Sequence, residues 1–586
     1  MSPRGVGEVG IRVEPRAGLT PLPHSECAAE CHHRGTCAAL FNDQPAFRLV
    51  QCLCHAGFSG SACEFEEPRA CINSCSSHGR CLGRLCLCQR GWHGLDCSLS
   101  RHSAHAPART SPASGLRYVP TYVYPLPTDV AMLQASQGSR GAPGARGTFQ
   151  ANRVYLEMLH ARQDAIVSDP RAASLFVVPL MLTQRRGNMW EPQQYMAEVI
   201  DRVQMRWPFW NRSNGEDHIM LTTQDYGGCM ISPAARRAII VSHFGFEKSM
   251  PQWMNVTHWR AALDGTSAST SVQPATGERG ALHRPDQPPG GGVGRSRPGV
   301  ARWELRARSW EKDDTPGCAR HQREKGTPLP ALKSGCSRHQ GPCFDAKKDV
   351  VIPTDFVVPE AELRATQAEA AEWRGCGSQR VRRKLLFLAG SLVDKNVPWY
   401  SQLVRQEFQR LHANDSAVEI RVGAWSIGDL RDADYCLSPS GVGFGWRVYV
   451  ALAALCVPVI VQPMVHQAFD DLAPFDLFSL SFPLSDVKRL PQLLRAVPPE
   501  TLCMLRENAA RYFPLFLWQT PGGLAYDMLQ LSLCRRSLQL HQRAERAKRV
   551  RRGGRRAAAP PWAACARMTA EELLKAASLG GGRASW

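Results

Sequence analysis

Apolar positions along the chain fall into two series in which strand-like and helix-like runs alternate. In the first, Tyr122-Val-Tyr precedes residues 152–166, where Val154, Met158, Leu159 and Ile166 recur near helical spacing. Leu175-Phe-Val-Val then reads as a buried strand and residues 195–205 as an amphipathic helix. An aromatic loop at 207–211 leads into the strand Ile219-Met-Leu. The second series opens at Lys384. Within it, residues 435–437 read as a short buried strand, 438–445 as a loop, 447–455 as a helix, and 457–461 as a second buried, β-branched strand. Such alternation predicts an α/β layer structure with parallel sheets, most economically two halves with a cleft between them.

The loop at 438–445 carries Gly441, Gly443 and Gly445. A glycine loop between a strand and a helix lets backbone N–H groups approach an anion, and Arg447 on the first helical turn adds a planar positive fork. The expectation is a diphosphate-sized pocket at the carboxyl edge of a sheet. Spacing alone leaves a plain structural turn, or a surface arginine, open.

Length and charge set the outer bounds. A chain of 586 residues exceeds a single core and implies several units. The net charge of +19 is concentrated in two stretches. Residues 535–556 hold ten basic residues against Glu545 alone, and 278–325 hold eleven against seven acids. Neither stretch has the apolar periodicity of a folded domain, and both sit outside the predicted halves, so no nucleic-acid partner is expected.

Twelve of the 22 cysteines lie between Cys27 and Cys97, in two similar units. Each has six cysteines, which permit fifteen pairings, and units this short need bridges for stability. Zinc is disfavoured, because Cys-x-Cys pairs with partners nine positions on do not match finger spacing. Bridges imply an oxidising compartment, and sequons at Asn211, Asn255 and Asn414 agree with one. Residues 1–26 carry no apolar run that would serve as leader or anchor. A missing upstream leader is therefore expected.

Collinear motifs point to a family. Cys436-Leu-Ser-Pro-Ser-Gly, then Arg447, then Ala454-Leu-Cys-Val-Pro-Val-Ile-Val and Phe469-Asp-Asp-Leu, resemble the nucleotide-sugar half of the exostosin-like glycosyltransferases (glycosyltransferase family 47). Upstream, Tyr122-Val-Tyr-Pro-Leu-Pro, Asp169-Pro-Arg-Ala-Ala-Ser-Leu-Phe-Val-Val-Pro and residues 207–218 with Asp225-Tyr-Gly-Gly-Cys continue the series. Lys348-Asp-Val-Val-Ile-Pro and Leu385-Leu-Phe-Leu-Ala-Gly complete it. The resemblance covers roughly residues 117–530 apart from one insert. It implies a GT-B-like pair of Rossmann-like domains and a nucleotide-diphosphate sugar, of the UDP type, as donor. It also implies inverting transfer to a polysaccharide or glycoprotein acceptor, and residence in the Golgi apparatus behind an N-terminal membrane anchor. The Cys-x-Cys-x-x-Gly-aromatic endings resemble EGF-like modules. That second resemblance implies the bridges Cys27–Cys37, Cys31–Cys52, Cys54–Cys63, Cys71–Cys81, Cys75–Cys86 and Cys88–Cys97.

The organisation expected is a disordered segment at 1–26, modules at 27–63 and 71–97, and a linker at 98–116. The transferase halves fall at 117–265 and 341–534, divided by a disordered insert at 266–340. A basic low-complexity tail follows at 535–586, with one short helix at 569–578. Sugar transfer needs positive groups or a metal for the leaving diphosphate. The glycine loop with Arg447 is expected to supply them without a metal or other cofactor. Asp432-Ala-Asp434 has a metal-motif spelling but precedes its strand. The acceptor's proton needs a base, and Asp225, Asp217 and His218 are the candidates. Asp470 and Asp471, after the second strand, match the family's acidic pair and imply donor hydroxyl contacts. Family members often carry Ser or Thr two residues before the arginine, where this chain has Gly445. A catalytically inactive carbohydrate-binding or adhesion protein is the alternative function.

Overall fold

The computed structural model describes residues 19–40, 49–54, 58–59, 62–66, 72–82, 85–100, 110–126, 149–180, 183–184, 187–188, 192–266, 342–356, 358–374, 382–392, 398–422, 425–518, 522–552 and 558–579. The expected insert beyond Thr266 and most of the N-terminal segment lie outside these residues.

Two all-parallel five-stranded sheets organise the molecule. The first consists of β1 (Thr121–Val123), β2 (Leu175–Val178), β3 (His218–Thr222), β4 (Ile239–Ser242) and, after the short strand β5 (Gly245–Phe246), β6 (Val350–Val351). Its order is β1-β2-β3-β4-β6. The second consists of β7 (Lys384–Ala389), β8 (Val418–Arg421), β9 (Ala433–Pro439), β10 (Val457–Val461) and, after β11 (Val465–His466), β12 (Leu480–Ser481). Its order, β8-β7-β9-β10-β12, reverses direction between β7 and β9. Strands β2, β3, β4 and β10 are buried along their whole length, as expected where helices cover both faces of a parallel sheet. The α/β architecture, two parallel-sheet domains of GT-B-like form, is as the sequence implied.

The flanking helices used below are α1 (Ala151–Arg162), α2 (Pro192–Arg206), α3 (Val256–Asp264), α4 (Glu360–Glu372), α5 (Val404–His412), α6 (Arg447–Ala453), α7 (Pro499–Tyr512), α8 (Ala525–Arg552) and α9 (Ala570–Leu579). The halves are linked on their carboxyl edges at several points, among them these three. Strand β5 pairs antiparallel with β11, the Trp253 indole donates to the Val442 carbonyl at 2.9 Å, and Trp518 donates to Pro353 at 3.0 Å.

Beyond Cys534 the structure departs from the expected disordered tail. Helix α8 continues without a break to Arg552, and the chain then returns through buried Trp562 and Cys565 to α9. A Cys534–Cys565 bridge closes this hairpin. Arg536 is buried and bonds Asp471 (2.8 Å) and the Asp349 carbonyl (3.0 Å), so it joins both halves. At the other end of α8, buried Asp527 accepts from Arg162, Tyr118 and Ser111, which fixes the end of the expected linker. Basic composition hid an anchoring helix: these arginines count as tail residues by charge, yet α8 places Arg536 inside.

In the cysteine-rich region, Cys27–Cys37, Cys31–Cys52, Cys75–Cys86 and Cys88–Cys97 are bonded. Cys54, Cys71 and Cys81 lie outside the described side chains. The second unit rests on α1, where Asn73 bonds Asp96 (2.8 Å) and the Glu157 carbonyl (3.2 Å), and Leu99 joins the main core. Further bridges are Cys229–Cys343 and Cys436–Cys456. The second of these ties β9 to the start of β10. The sequon residues Asn211, Asn255 and Asn414 are exposed. No described helix is long and apolar enough to cross a membrane.

Candidate active site

Ligands of doubly wound sheets bind outside the carboxyl ends of the strands where the strand order reverses. Here that point lies between β7 and β9. Gly390 follows β7 with φ +98°, and a Cβ on it would run into the Arg447 guanidinium. The glycine loop follows β9. Arg447 therefore lies across the switch point, held over the Trp425 ring at 5.3 Å. Helix α6 has only seven residues and no side-chain cap, so its own dipole contributes little. Positive side chains carry the site's charge.

A second guanidinium stands beside the first. In α5, Val404, Phe408 and His412 face inward, and Arg405 shares that face at 4% exposure. Its Nη1 donates to the Ser391 carbonyl (2.9 Å) and its Nη2 to the Ser440 carbonyl (3.0 Å), within the glycine loop. The turn before it, Ser401-Gln402-Leu403, is left-handed throughout (φ 53°, 51° and 68°). From that turn the Ser401 N–H donates to the Gly441 carbonyl at 2.9 Å. Among the described residues no carboxylate pairs with Arg405 or Arg447, and the Nε of each is buried without a partner. Burial, then the neighbouring charge of Arg405, pushes Arg447 down to about 9, and burial lowers Arg405 as well. Arg405 is buried and Arg447 partly buried, neither with a carboxylate counter-ion among the described residues; such cations are costly, and an anion between them would relieve both.

The loop is tightly supported. Gln462 Nε2 donates to the Ser438 carbonyl at 2.9 Å, and a Cβ on Gly445 would come within 2.8 Å of that nitrogen. Gly443 abuts the Asp225 carbonyl from the opposite half, and the Phe444 N–H points to the same oxygen at 3.4 Å. Asp225 therefore meets the glycine loop across the cleft.

The other base candidates lie elsewhere. Asp217 and His218 sit at the amino end of β3, the edge opposite Asp225. His218 is fully buried, with Nδ1 on Asp217 (2.8 Å), Nε2 on the Tyr124 hydroxyl (2.8 Å) and Trp210 at 4.6 Å. Burial lowers its pKa against the pull of Asp217. Burial alone would raise the Asp217 carboxyl, but His218, Ser213 and Arg212 together hold it below its usual range. Both nitrogens are occupied by protein, so this pair braces the strand and is removed from the catalytic set.

Asp471 is likewise taken up: Arg536 (2.8 Å) and Ser532 (3.1 Å) bind its carboxylate. Asp470 pairs with His466 at 2.5 Å on the inter-half strand β11. Asp432 and Asp434 lie at the amino end of β9, paired with Arg383 and Arg506. Of the expected site residues, Gly441, Gly443, Gly445, Arg447 and Asp225 come together, with Asp470 at the inter-half junction. Sequence reasoning missed Arg405 and Gln462. A charged residue on the apolar face of an amphipathic helix was the available signal for Arg405. A groove of about 860 Å³ lies remote from this chemistry, between the linker, α7 and α9.

Two parallel-sheet domains of GT-B-like form thus meet beside two guanidiniums at the switch point of the second sheet. The Exostosin GT47 domain matches residues 116–274 and 315–497, more than half the chain, and the protein belongs to that family. Among curated relatives, "Probable glucuronosyltransferase GUT1" of Oryza sativa subsp. japonica is 20% identical over 71% of this chain and 80% of its own length. A protein of Arabidopsis thaliana named a probable glucuronoxylan glucuronosyltransferase is 24% identical over 22% of this chain and 30% of its own. Another rice protein named a probable glucuronosyltransferase is 26% identical over 21% of this chain, which spans 33% of that relative's length.

Proposed function

We propose that the protein transfers a sugar from a UDP-sugar to a glycan with inversion, in the Golgi lumen, through a cleft whose leaving-group site is built by Arg405 and Arg447. The single observation that carries this reading is the pair of guanidiniums beside the glycine loop, each with its Nε buried, and with no carboxylate paired to either among the described residues. A diphosphate supplies the missing charge. As the bond between the anomeric carbon and the phosphate oxygen breaks, negative charge grows on that oxygen, and the two forks stabilise it. The acceptor oxygen attacks from the opposite face and forms the new glycosidic bond, and its proton passes to the Asp225 carboxylate. Asp470 bonds donor hydroxyls from the inter-half side. Glucuronate is the first donor to try, because the relatives named above are glucuronosyltransferases.

The test is a panel of UDP-sugars with glycan acceptors, read by UDP release, on protein folded with its bridges oxidised. UDP-dependent release that Arg447→Ala removes supports the reading. Release that persists unchanged in that variant defeats it.

A further inference from the structure

We propose that the free end of α8 is a docking arm for a carboxylated glycan. Helix α8 is anchored as far as Leu540, and from there it stands clear of the globule. Arg543, Arg546, Lys548, Arg549 and Arg551 are all exposed, and Val550 is 86% exposed. The only acid in this stretch, Glu545, is taken by Lys548 at 2.8 Å. Among the described residues no carboxylate pairs with Arg543, Arg546, Arg549 or Arg551.

Such a segment is not expected to be helical on its own account. It has no apolar stripe to bury, and like charges at Arg543/Arg546 and Arg546/Arg549 oppose the helix at i,i+3 spacing. What holds it is the rigid base, where Arg536 joins both halves and Cys534–Cys565 closes the hairpin. The fold thus presents a short rod, at about 1.5 Å per residue, with cations on all sides and self-repulsion that a polyanion would relieve.

The chemistry selects among polyanions. A membrane-surface helix needs an apolar face, and here Ala544, Ala547 and Val550 are the sole apolar residues. Single-stranded nucleic acid needs aromatic platforms, and this stretch has none. A chain of sugar carboxylates needs only repeated, exposed guanidinium and ammonium groups with freedom to adapt. The choice of a glycan over other flexible polyanions rests on the proposed transferase function, whereas the polyanion binding itself does not. An arm of this kind would keep an acidic acceptor or product near the cleft between transfers.

Polygalacturonate of defined length serves as the probe, against the full chain. A neutral cello-oligosaccharide and phosphatidylserine vesicles are the comparison ligands. The combined variant Arg543→Gln, Arg546→Gln, Arg549→Gln, Arg551→Gln touches exposed side chains only. The expected result is polygalacturonate binding that falls roughly tenfold or more in the variant and weakens steeply with salt, as screened surface charge does. The corresponding four-lysine variant should bind within about threefold of the parent, since the contact is charge without fixed geometry. Equal binding by parent and glutamine variant, binding of the neutral sugar to the same extent, or preference for vesicles would each overturn the proposal. UDP-induced thermal stabilisation is measured on the same preparations. Its loss in every protein would indict the donor-site reading and leave the arm standing.

Discussion

Gly443 and Asp225 belong to opposite halves of the molecule, yet the glycine's Cα lies against the aspartate's carbonyl oxygen, with no room for a Cβ. This contact sets how close the glycine loop comes to the opposite half. Gly443→Ala must push the halves apart or distort the loop, at about 1–3 kcal/mol for overpacking. The expected outcome is a melting temperature lower by a few degrees and a loss of UDP release out of proportion to it. At Gly441 an added methyl meets only the Phe444 carbonyl, at 3.1 Å. Gly441→Ala should therefore retain most activity, and equal damage from both variants would show that the inter-half contact is not limiting.

Arg405 and Arg447 combine two effects that mutation separates. Without a carboxylate partner among the described residues, buried Arg405 and partly buried Arg447 each cost stability, and on the proposed reading each strengthens anion binding. Arg447→Met should therefore leave the unliganded protein as stable as the parent or more so. UDP affinity should fall about 10- to 150-fold, the effect of losing hydrogen bonds to a charged partner worth about 1.5–3 kcal/mol. Arg405→Met should behave alike. Arg447→Lys keeps the charge but loses the fork, and should fall between. Calorimetric unfolding with and without UDP checks both halves of the expectation.

Asp225 and the Asp217–His218 pair are distinguished by what they disturb. Asp225→Asn should lower kcat by about 10²–10⁴, the range of a lost general base, with UDP affinity changed by less than about threefold. Asp217→Asn leaves buried His218 with a mismatched partner. It should lower the melting temperature while kcat per folded molecule is kept. A kcat loss in Asp217→Asn without destabilisation would return that pair to the catalytic set.

Much of this was legible in the chain because strands and loops speak locally. Val457-Pro-Val-Ile-Val could only be a buried strand, and Gly441, Gly443 and Gly445 marked the loop that follows β9. Edges were not legible. Asp217-His218 and Asp225 are close in sequence, but β3 runs between them and carries them to opposite ends of the sheet. Partners were not legible either. Asp470 and Asp471 are adjacent, yet one bonds His466 and the other a helix that charge composition had assigned to the tail. Arg405 lay in an ordinary amphipathic stretch, and only the fold shows that its face meets the glycine loop.

The same misreading of the tail yields a stability prediction. A chain ended at Cys534 removes Arg536, Trp562, Cys565 and Leu573 together, leaving the Asp471 carboxylate without its buried counter-ion and opening the core under α7 and α8. It should lose cooperative unfolding. A chain ended at residue 580 keeps all of these and should melt with the parent.

His466 ties the inter-half strand pair to pH. Burial alone would lower its pKa, but Asp470 at 2.5 Å and Glu247 at 3.9 Å raise it above the ordinary histidine value of about 6.5. The folded state therefore holds this proton more tightly than the unfolded chain does. The stabilisation is complete below about pH 6.5 and is lost as pH rises through the raised folded value. Buried His160 and His218 have lowered values and the opposite sign: they destabilise the fold as pH falls below about 6.5. The parent's melting curve reports the sum, so the difference between parent and His466→Gln is the quantity to follow. That difference should be largest near pH 6 and shrink toward pH 8.5. A difference independent of pH would show that His466 holds the β5–β11 pair by packing on Phe344, 4.9 Å away, and not by charge.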